Sequence, residues 1–390
     1  MSESPARAES DVGWVTGFDV ERVARVGRFF DWARAGARAM IPSPQARSRV
    51  LERARRLIMV RNIARISRGV IFAAGFAGMA AACDQYASAR QHAQSGSYTA
   101  TDSMGVTPRE ISTVALHAPP ELIENSAAAM SARQAGVLFT INDSGNDPLL
   151  FAVDTIGANR GVWRLKGATN VDWESAAVAP CASTAPVGPS CVYVGDTGDN
   201  NSRHPFRVIY RVPEPPASGG RGSLETEHLR YRYSDGPHDV ESMYIAPTGN
   251  ILLITKRPLG GGGGRLRPAL VFSLPESAWR ERGFAIAQLV DSLPIVPGSA
   301  PLRLITDAAL SPDGRHLAVR TYAQVYIFAV GPAGLVDHRV NPAVCNIVPL
   351  GEPQGEGVTW ANNGGRLVFT SEGANVPLHI ATCPLPGNFK

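Results

Sequence analysis

Glu174-Ser-Ala-Ala-Val, followed by Val192-Tyr-Val, is one of five copies of a single pattern. An acidic residue opens a run of small apolar side chains, and a strand-like run comes after it. The other copies begin at Glu124-Asn-Ser-Ala-Ala-Ala-Met, Glu241-Ser-Met-Tyr-Ile, Asp307-Ala-Ala-Leu and Glu356-Gly-Val-Thr-Trp. Their partner runs are Val137-Leu-Phe-Thr-Ile, Ile251-Leu-Leu-Ile-Thr, Leu317-Ala-Val-Arg-Thr and Leu367-Val-Phe-Thr. A spacing of roughly 50 to 67 residues in an all-strand pattern marks a β-propeller. One such unit cannot bury both faces of its own sheet, so the units must stack in a ring.

The expected fold is therefore all-β, a β-propeller of five blades, with insertions long enough to leave room for a sixth. Strands are expected near 124–130, 137–142, 149–153 and 161–166, then 173–178, 191–196, 207–212 and 226–233. The third blade takes 240–245, 250–256, 269–274 and 284–290, and the fourth takes 304–310, 316–321, 324–329 and 335–340. The fifth supplies 356–360, 366–371 and 377–382, and Ile111 to Leu116 is expected to close the ring from the N-terminal side. Pro247-Thr-Gly-Asn250, Pro312-Asp-Gly314 and Asn362-Asn-Gly-Gly365 supply hairpin turns. With 39 Gly, 30 Pro and 44% hydrophobic residues, the composition suits a turn-rich domain with a large core.

The net charge of +4 comes from one end. Residues 1–68 hold 14 arginines and 7 acids, and the remainder is mildly acidic. That argues against a nucleic-acid surface on the propeller. Within the head, Arg61, Arg65 and Arg68 precede a short apolar run, Val70 to Ala82, which ends at Ala80-Ala81-Ala82-Cys83. This reads as a secretory signal, too short to span a bilayer. The domain reading is 1–58 as an over-extended start or a basic helical head, 59–82 as a lipoprotein-type signal, 83–108 as a flexible tether and 109–390 as the propeller. A Cys after three alanines resembles the bacterial lipoprotein box. That resemblance implies lipidation at Cys83, a membrane anchor, and a periplasmic or cell-surface location. Four further cysteines fit an oxidising compartment and allow three pairings. Cys181 and Cys191 flank a Pro/Gly/Ser loop, which favours a local bridge and leaves Cys345 for Cys383.

In a propeller the innermost strand of each blade lines the channel. Glu124, Glu174, Glu241, Asp307 and Glu356 should then ring one mouth. The second strands end there too, bringing Asn142, Asp143, Asp196, Asp199, Asn200, Lys256, Arg257, Arg320 and Glu372. Converging carboxylates repel, and burial raises their pKa. Either a cation or the neighbouring Lys and Arg must neutralise them. The metal-ligand candidates are Glu124, Asp143, Glu174, Asp196, Asp199, Glu241, Asp307 and Glu356. An all-oxygen set points to Ca²⁺. Asn142, Asn200, His238, Arg257, Arg320 and Glu372 are the candidate binding residues, with His238-Asp239 beside Glu241 as a possible general base. There is no GxSxG elbow and no HExxH helix.

Asn142-Asp-Ser-Gly145, Asn170-Val-Asp-Trp-Glu174, Tyr193-Val-Gly-Asp-Thr-Gly-Asp-Asn200, Ile209-Tyr-Arg-Val-Pro-Glu214 and Asp239-Val-Glu-Ser-Met243 resemble a family of exported bacterial β-propeller proteins. The likeness covers residues 111–383. More distantly the chain is similar to gluconolactonase-like and phytase-like propellers, in which a channel-mouth Glu with Asn and Asp ligands holds a divalent cation. By position on the blade, that resemblance implies such a role for Glu124, Asp143, Glu174, Asp196 and Glu241. Two functions follow from the sequence. The first is an interaction module whose acidic mouth or loops bind a protein, glycan or small-molecule partner. The alternative is a divalent-cation-dependent hydrolase of an ester, lactone or phosphoester.

Overall fold

The computed structural model describes residues 105–182, 188–256, 268–295 and 304–387. The expectations for residues 1–104, including Cys83, and for Arg257 lie outside the described residues. Within them the chain is a β-propeller. Its first strand, β1 (Arg109–Val114), is the outermost of a sheet that the C-terminal end completes. Blade 1 follows as β2 (Asn125–Met130), β3 (Val137–Asn142), β4 (Leu149–Asp154) and β5 (Asn159–Lys166). Blade 2 is β6 (Trp173–Pro180), β7 (Ser190–Asp196), β8 (Arg207–Pro213) and, after the excursion β9 (Arg221–Glu225), β10 (Glu227–Tyr233). Blade 3 is β11 (Val240–Ile245), β12 (Ile251–Thr255), β13 (Ala269–Leu274) and β14 (Ala285–Leu293). Blade 4 is β15 (Ile305–Leu310), β16 (His316–Thr321), β17 (Gln324–Ala329) and β18 (Ala343–Asn346). Blade 5 is β19 (Gly355–Trp360), β20 (Leu367–Ser371) and β21 (Leu378–Thr382), closed by β1.

Strands β2, β6, β11, β15 and β19 pack side by side in that order, and β19 returns to β2. Five apolar clusters fill the five seams among the described residues. Phe139, Trp163 and Tyr210 join blades 1 and 2, and Tyr193, Met243 and Phe272 join blades 2 and 3. Leu252, Leu317 and Phe328 join blades 3 and 4, Ile327 and Phe369 join 4 and 5, and Leu138 and Val368 join 5 and 1. Because each blade is covered on both faces, its middle strands are buried along their whole length, as in β3, β4, β7, β12 and β20. That is why they read as continuous apolar runs rather than as alternating ones. The alanines of the inner strands (Ala127, Ala128, Ala176, Ala308) let five backbones approach one axis.

One expectation is corrected. The outer strand of blade 4 is Ala343–Asn346, not 335–340. Residues 331–334 make a turn, Gly331 N–H to Leu335 O and Gly334 N–H to Gly331 O, that lies beneath Tyr244 of blade 3. An additional strand, β9, leaves blade 2 and pairs parallel with β5 of blade 1.

Both disulfides have the expected pairing. Cys181–Cys191 closes a short loop on blade 2, and Cys345–Cys383 ties β18 to the chain after β21. Two disulfides fit an oxidising, non-cytoplasmic compartment. Among the described residues no helix is long and apolar enough to cross a membrane.

Candidate functional site: an acidic channel mouth

Each inner strand carries a β-bulge against its neighbour at the same row. The register slips between Asn125 and Ala127, Trp173 and Ser175, Val240 and Ser242, Ile305 and Asp307, and Gly355 and Val358. A bulge adds a residue to one strand and re-aims the side chains beside it. The equivalent bulge residues are therefore Ser126, Glu174, Glu241, Thr306 and Glu356. This corrects the ring read from sequence. Glu124 sits two residues before its row, and Asp307 one after it. Three carboxylates and two hydroxyls form the tier, and one hydroxyl answers an acid: Ser126 Oγ donates to Glu174 Oε2 at 2.6 Å. Thr306 Oγ1 donates to the Glu356 main-chain oxygen at 2.9 Å.

A second tier lies just above, where the second strands end. Asp143, Thr197, Lys256, Tyr322 and Glu372 follow the bulge partners Asn142, Asp196, Thr255, Thr321 and Ser371. Asp172 and Asp239 come from the loops entering β6 and β11. Asp143, Asp172 and Glu174 each offer an oxygen, and these atoms all lie within 4.8 Å of one another. The 169–173 segment makes this convergence possible. Asn170 Nδ2 donates to the main-chain oxygens of Asn142 (3.0 Å) and Asp143 (2.7 Å), fastening blade 2's entry loop to blade 1. Gly198 N–H donates to Asp172 O, and its Cα packs so closely that a Cβ there would lie 2.6 Å from Glu174 Cγ and 2.7 Å from Asp172 Cγ. Only glycine fits.

Burial, reinforced by neighbouring carboxylates, sets the electrostatics. Burial, then Glu241 and Asp143, push Glu174 well above the usual carboxylate range. Burial and Asp143 push Asp172 up to about 7. Burial and Asp143 also take Glu372 to about 7, and burial and Glu372 take Glu356 to about 8. The described cations near the channel are already committed. Lys256 Nζ bonds Glu241 Oε1 at 2.7 Å. Burial alone would lower that ammonium, but Glu241, Tyr322 and Glu174 outweigh it and hold it well above its ordinary value. Arg207 pairs with Asp196 at 2.7 Å. Arg320, fully buried, pairs with Glu352 and donates to the carbonyls of Gly357 (2.6 Å) and Thr370 (3.0 Å).

The remaining sequence candidates stand elsewhere. Asp196, held by Arg207, also accepts the Asp172 N–H at 3.0 Å. Asp199 accepts the His204 N–H, and Asn200 lies exposed in the same turn. The Asn142 amide caps the chain at Ile123 and Glu124. Glu124 is exposed and accepts from Asn146. Asp307 accepts the main-chain N–H groups of Ala308 (2.8 Å), Val358 (2.8 Å) and Ala128 (3.2 Å), tying three inner strands together in the channel. His238 does not face the acids as a base would. Its Nε2 meets Asp235 at 2.8 Å and its ring packs on Phe272 and Tyr233. Sequence reasoning missed Asp172, Tyr322, Arg207 and Gly198, and named Asp239 only as the neighbour of His238. Asp172, two residues before Glu174 in Asn170-Val-Asp-Trp-Glu174, was the accessible signal.

A cavity of about 700 Å³ lies at the opposite end of the channel, between the exits of the inner strands. It is lined by Ala129, Met130, Ala177, Ile245, Leu310 and Trp360 among others. Small side chains on diverging strands account for that space. The titratable groups converge at the other mouth, and chemistry rather than volume marks the candidate site.

No family profile matches this chain, and no curated protein does. Solved structures resemble it at low identity. One is a Dos1 propeller (10% identity, TM-score 0.32), matched over 64% of this chain and 53% of that one, so the chain spans about half of that protein's length. A Myxococcus xanthus glutaminyl cyclase is 11% identical, with 70% of this chain and 97% of that chain covered and a TM-score of 0.42. A gluconolactonase from Xanthomonas campestris is 14% identical, with 67% and 72% covered and a TM-score of 0.35.

Proposed function

We propose that this propeller is a binding module whose acidic mouth holds a divalent cation, Ca²⁺ by its oxygen-only donors, and captures an oxygen-rich ligand there. The observation that carries this reading is the convergence of Asp143, Asp172 and Glu174, from two blades, while every neighbouring described cation is engaged by a different acid. The surroundings fit an ion. Gly198 leaves the carboxylates the room that a Cβ would fill. Asp239 is buried, and its Oδ2 has no hydrogen-bond partner. Asp143, Asp172 and Glu174 would hold the ion, with its open positions turned to the ligand.

A hydrolytic reading has one observation in its favour. Glu356, held up to about 8, receives a hydrogen bond from the Tyr322 hydroxyl at 3.2 Å in the adjoining tier. A proton held there near neutral pH suits general acid chemistry. A bound divalent ion would supply Lewis-acid polarisation of an ester, lactone or phosphoryl oxygen. Export and a lipid anchor at Cys83, placing this mouth at the periplasmic or cell-surface side of a membrane, complete the proposal.

Metal analysis with Ca²⁺ calorimetry tests it. One Ca²⁺ per chain is expected, lost in Asp172→Asn. A protein that binds no divalent ion in either assay refutes the cation site. Export is tested with a palmitate analogue: labelling should depend on Cys83, and a mature protein retaining residues 1–58 would rule the anchor out.

A further inference from the structure

A second cavity, of about 410 Å³, opens between blades 1 and 2. It shares one segment with the acidic cluster: Thr169 and Val171 line the cavity, and Asp172 joins the cluster. Its main wall is set by strand register. β8 and β10 place His228 opposite Tyr210 and Arg230 opposite Val208, so these four side chains share one face of blade 2. Leu229 and Tyr231 take the other face and are buried. The Tyr210 hydroxyl accepts the Thr169 N–H at 3.2 Å and closes one end. Arg207 closes another, its Nε donating to the Asp196 main-chain oxygen at 2.9 Å. Phe206 stands at the rim, 37% exposed, with its ring 5.1 Å from Phe284.

The charge balance is one-sided. Asp196 is the one acid among the residues lining the cavity, and Arg207 already holds it at 2.7 Å. That leaves His204, His228 and Arg230 facing the space, and Arg230 makes no ion pair among the described residues. A guanidinium offers a planar fork of donors that matches carboxylate and phosphate oxygens. Phe206, Val208 and Tyr210 beside it offer flat apolar surface. The volume falls in the range of small-molecule sites. We propose that this cavity binds a small oxyanion, carboxylate or phosphate, carried on a flat apolar ring, with the anion at Arg230 and the histidines and the ring against Phe206 and Tyr210.

The test is calorimetry on the full-length, disulfide-intact chain in chelator, with phenyl phosphate and benzoate as probes and phenol as the neutral control. One probe should saturate a single site, and which binds more tightly distinguishes phosphate from carboxylate. Phenol should bind at least about tenfold more weakly, and Arg230→Gln should cost about tenfold or more, the worth of a charged hydrogen bond. Phe206→Ala should also weaken binding, and both variants, altered at exposed positions, should keep the wild-type melting temperature. Asp172→Asn should leave probe binding intact, so failure of the cation site and failure of this one are separable. The inference is overturned if neither probe saturates, if both variants bind like wild type, or if binding requires Ca²⁺.

Discussion

Gly198 shows how a single backbone position decides what the mouth can hold. A methyl group there meets two carboxylates at 2.6–2.7 Å, so one of them must move. Gly198→Ala is expected to weaken Ca²⁺ by at least tenfold in calorimetry, while overpacking costs about 1–3 kcal/mol of stability. Unchanged affinity would detach Asp172 and Glu174 from the ion. The carboxyls around it also set a pH dependence. Asp172 and Glu372, near 7, and Glu356, near 8, keep protons in the folded protein that the unfolded chain releases at about pH 4. Between those values the folded state binds more protons, so its stability falls as pH rises through about 4 to 8. In chelator the melting temperature should decline across that window, and a rise would contradict the buried, like-charged setting. Composition and motif pointed to these acids, but their register did not show. A bulge adds one residue without changing the residue types. Ser126 and Thr306 occupy the row that the sequence assigned to Glu124 and Asp307.

Strands were far more legible than sites, because a strand packed on both faces writes an uninterrupted apolar run. β3, β7, β12, β16 and β20 stand where such runs stand. The misplaced outer strand of blade 4 shows the limit of that signal. Ala343–Asn346 has only four residues, and its place is set by pairing with β17, by Val106 alongside and by the Cys345–Cys383 bridge. Val106 and Cys383 are far away in sequence, and β17, though it is the preceding strand, is reached only after the 331–340 excursion. Element-level ties have measurable weight. Replacing Asp307 by Ala strands three buried N–H groups from three inner strands. At about 1–3 kcal/mol for each unsatisfied group, urea unfolding should show a loss of several kcal/mol, with Ca²⁺ affinity unchanged. Loss of affinity without loss of stability would put Asp307 in the ion site instead. Opening Cys345–Cys383 by a double Ser substitution should cost about 2–4 kcal/mol. Opening Cys181–Cys191, whose loop is shorter, should cost less.

The whole molecule is a ring laced at its rim. β9 joins blade 2 to blade 1, and β10 pairs parallel with β14 to join blades 2 and 3. The N-terminal segment runs from Val106 on blade 4 through β1 on blade 5 to His117 beside blade 1. Between blades 3 and 4 the rim ties are His338 to Asp291 and the Tyr244 hydroxyl to the Gly334 carbonyl, and nearer the axis the Ile305 N–H donates to Lys256 O at 3.4 Å. A ring so closed cannot relax its axis by spreading, and the carboxylates there must be neutralised where they stand. The structure separates two acids that looked alike in sequence. Glu241 is answered by Lys256 at 2.7 Å, whereas Glu174 has a serine hydroxyl and two neighbouring carboxylates. Saturating Ca²⁺, at a hundredfold over its dissociation constant, should stabilise the fold by about 2.7 kcal/mol, roughly 5 °C for a domain of this size. Glu174→Gln should raise the melting temperature of the calcium-free protein near neutral pH by removing a buried carboxyl that must take up a proton on folding, and should abolish the calcium shift. Glu241→Gln should lower it by leaving the Lys256 ammonium buried and unpaired, a loss in the range of about 3–5 kcal/mol, while the calcium shift survives. A thermal-shift series on the wild type and these two variants reads both signs at once. If both substitutions destabilise and Ca²⁺ shifts none of the three proteins, the mouth is a structural ion-pair ring rather than a metal centre.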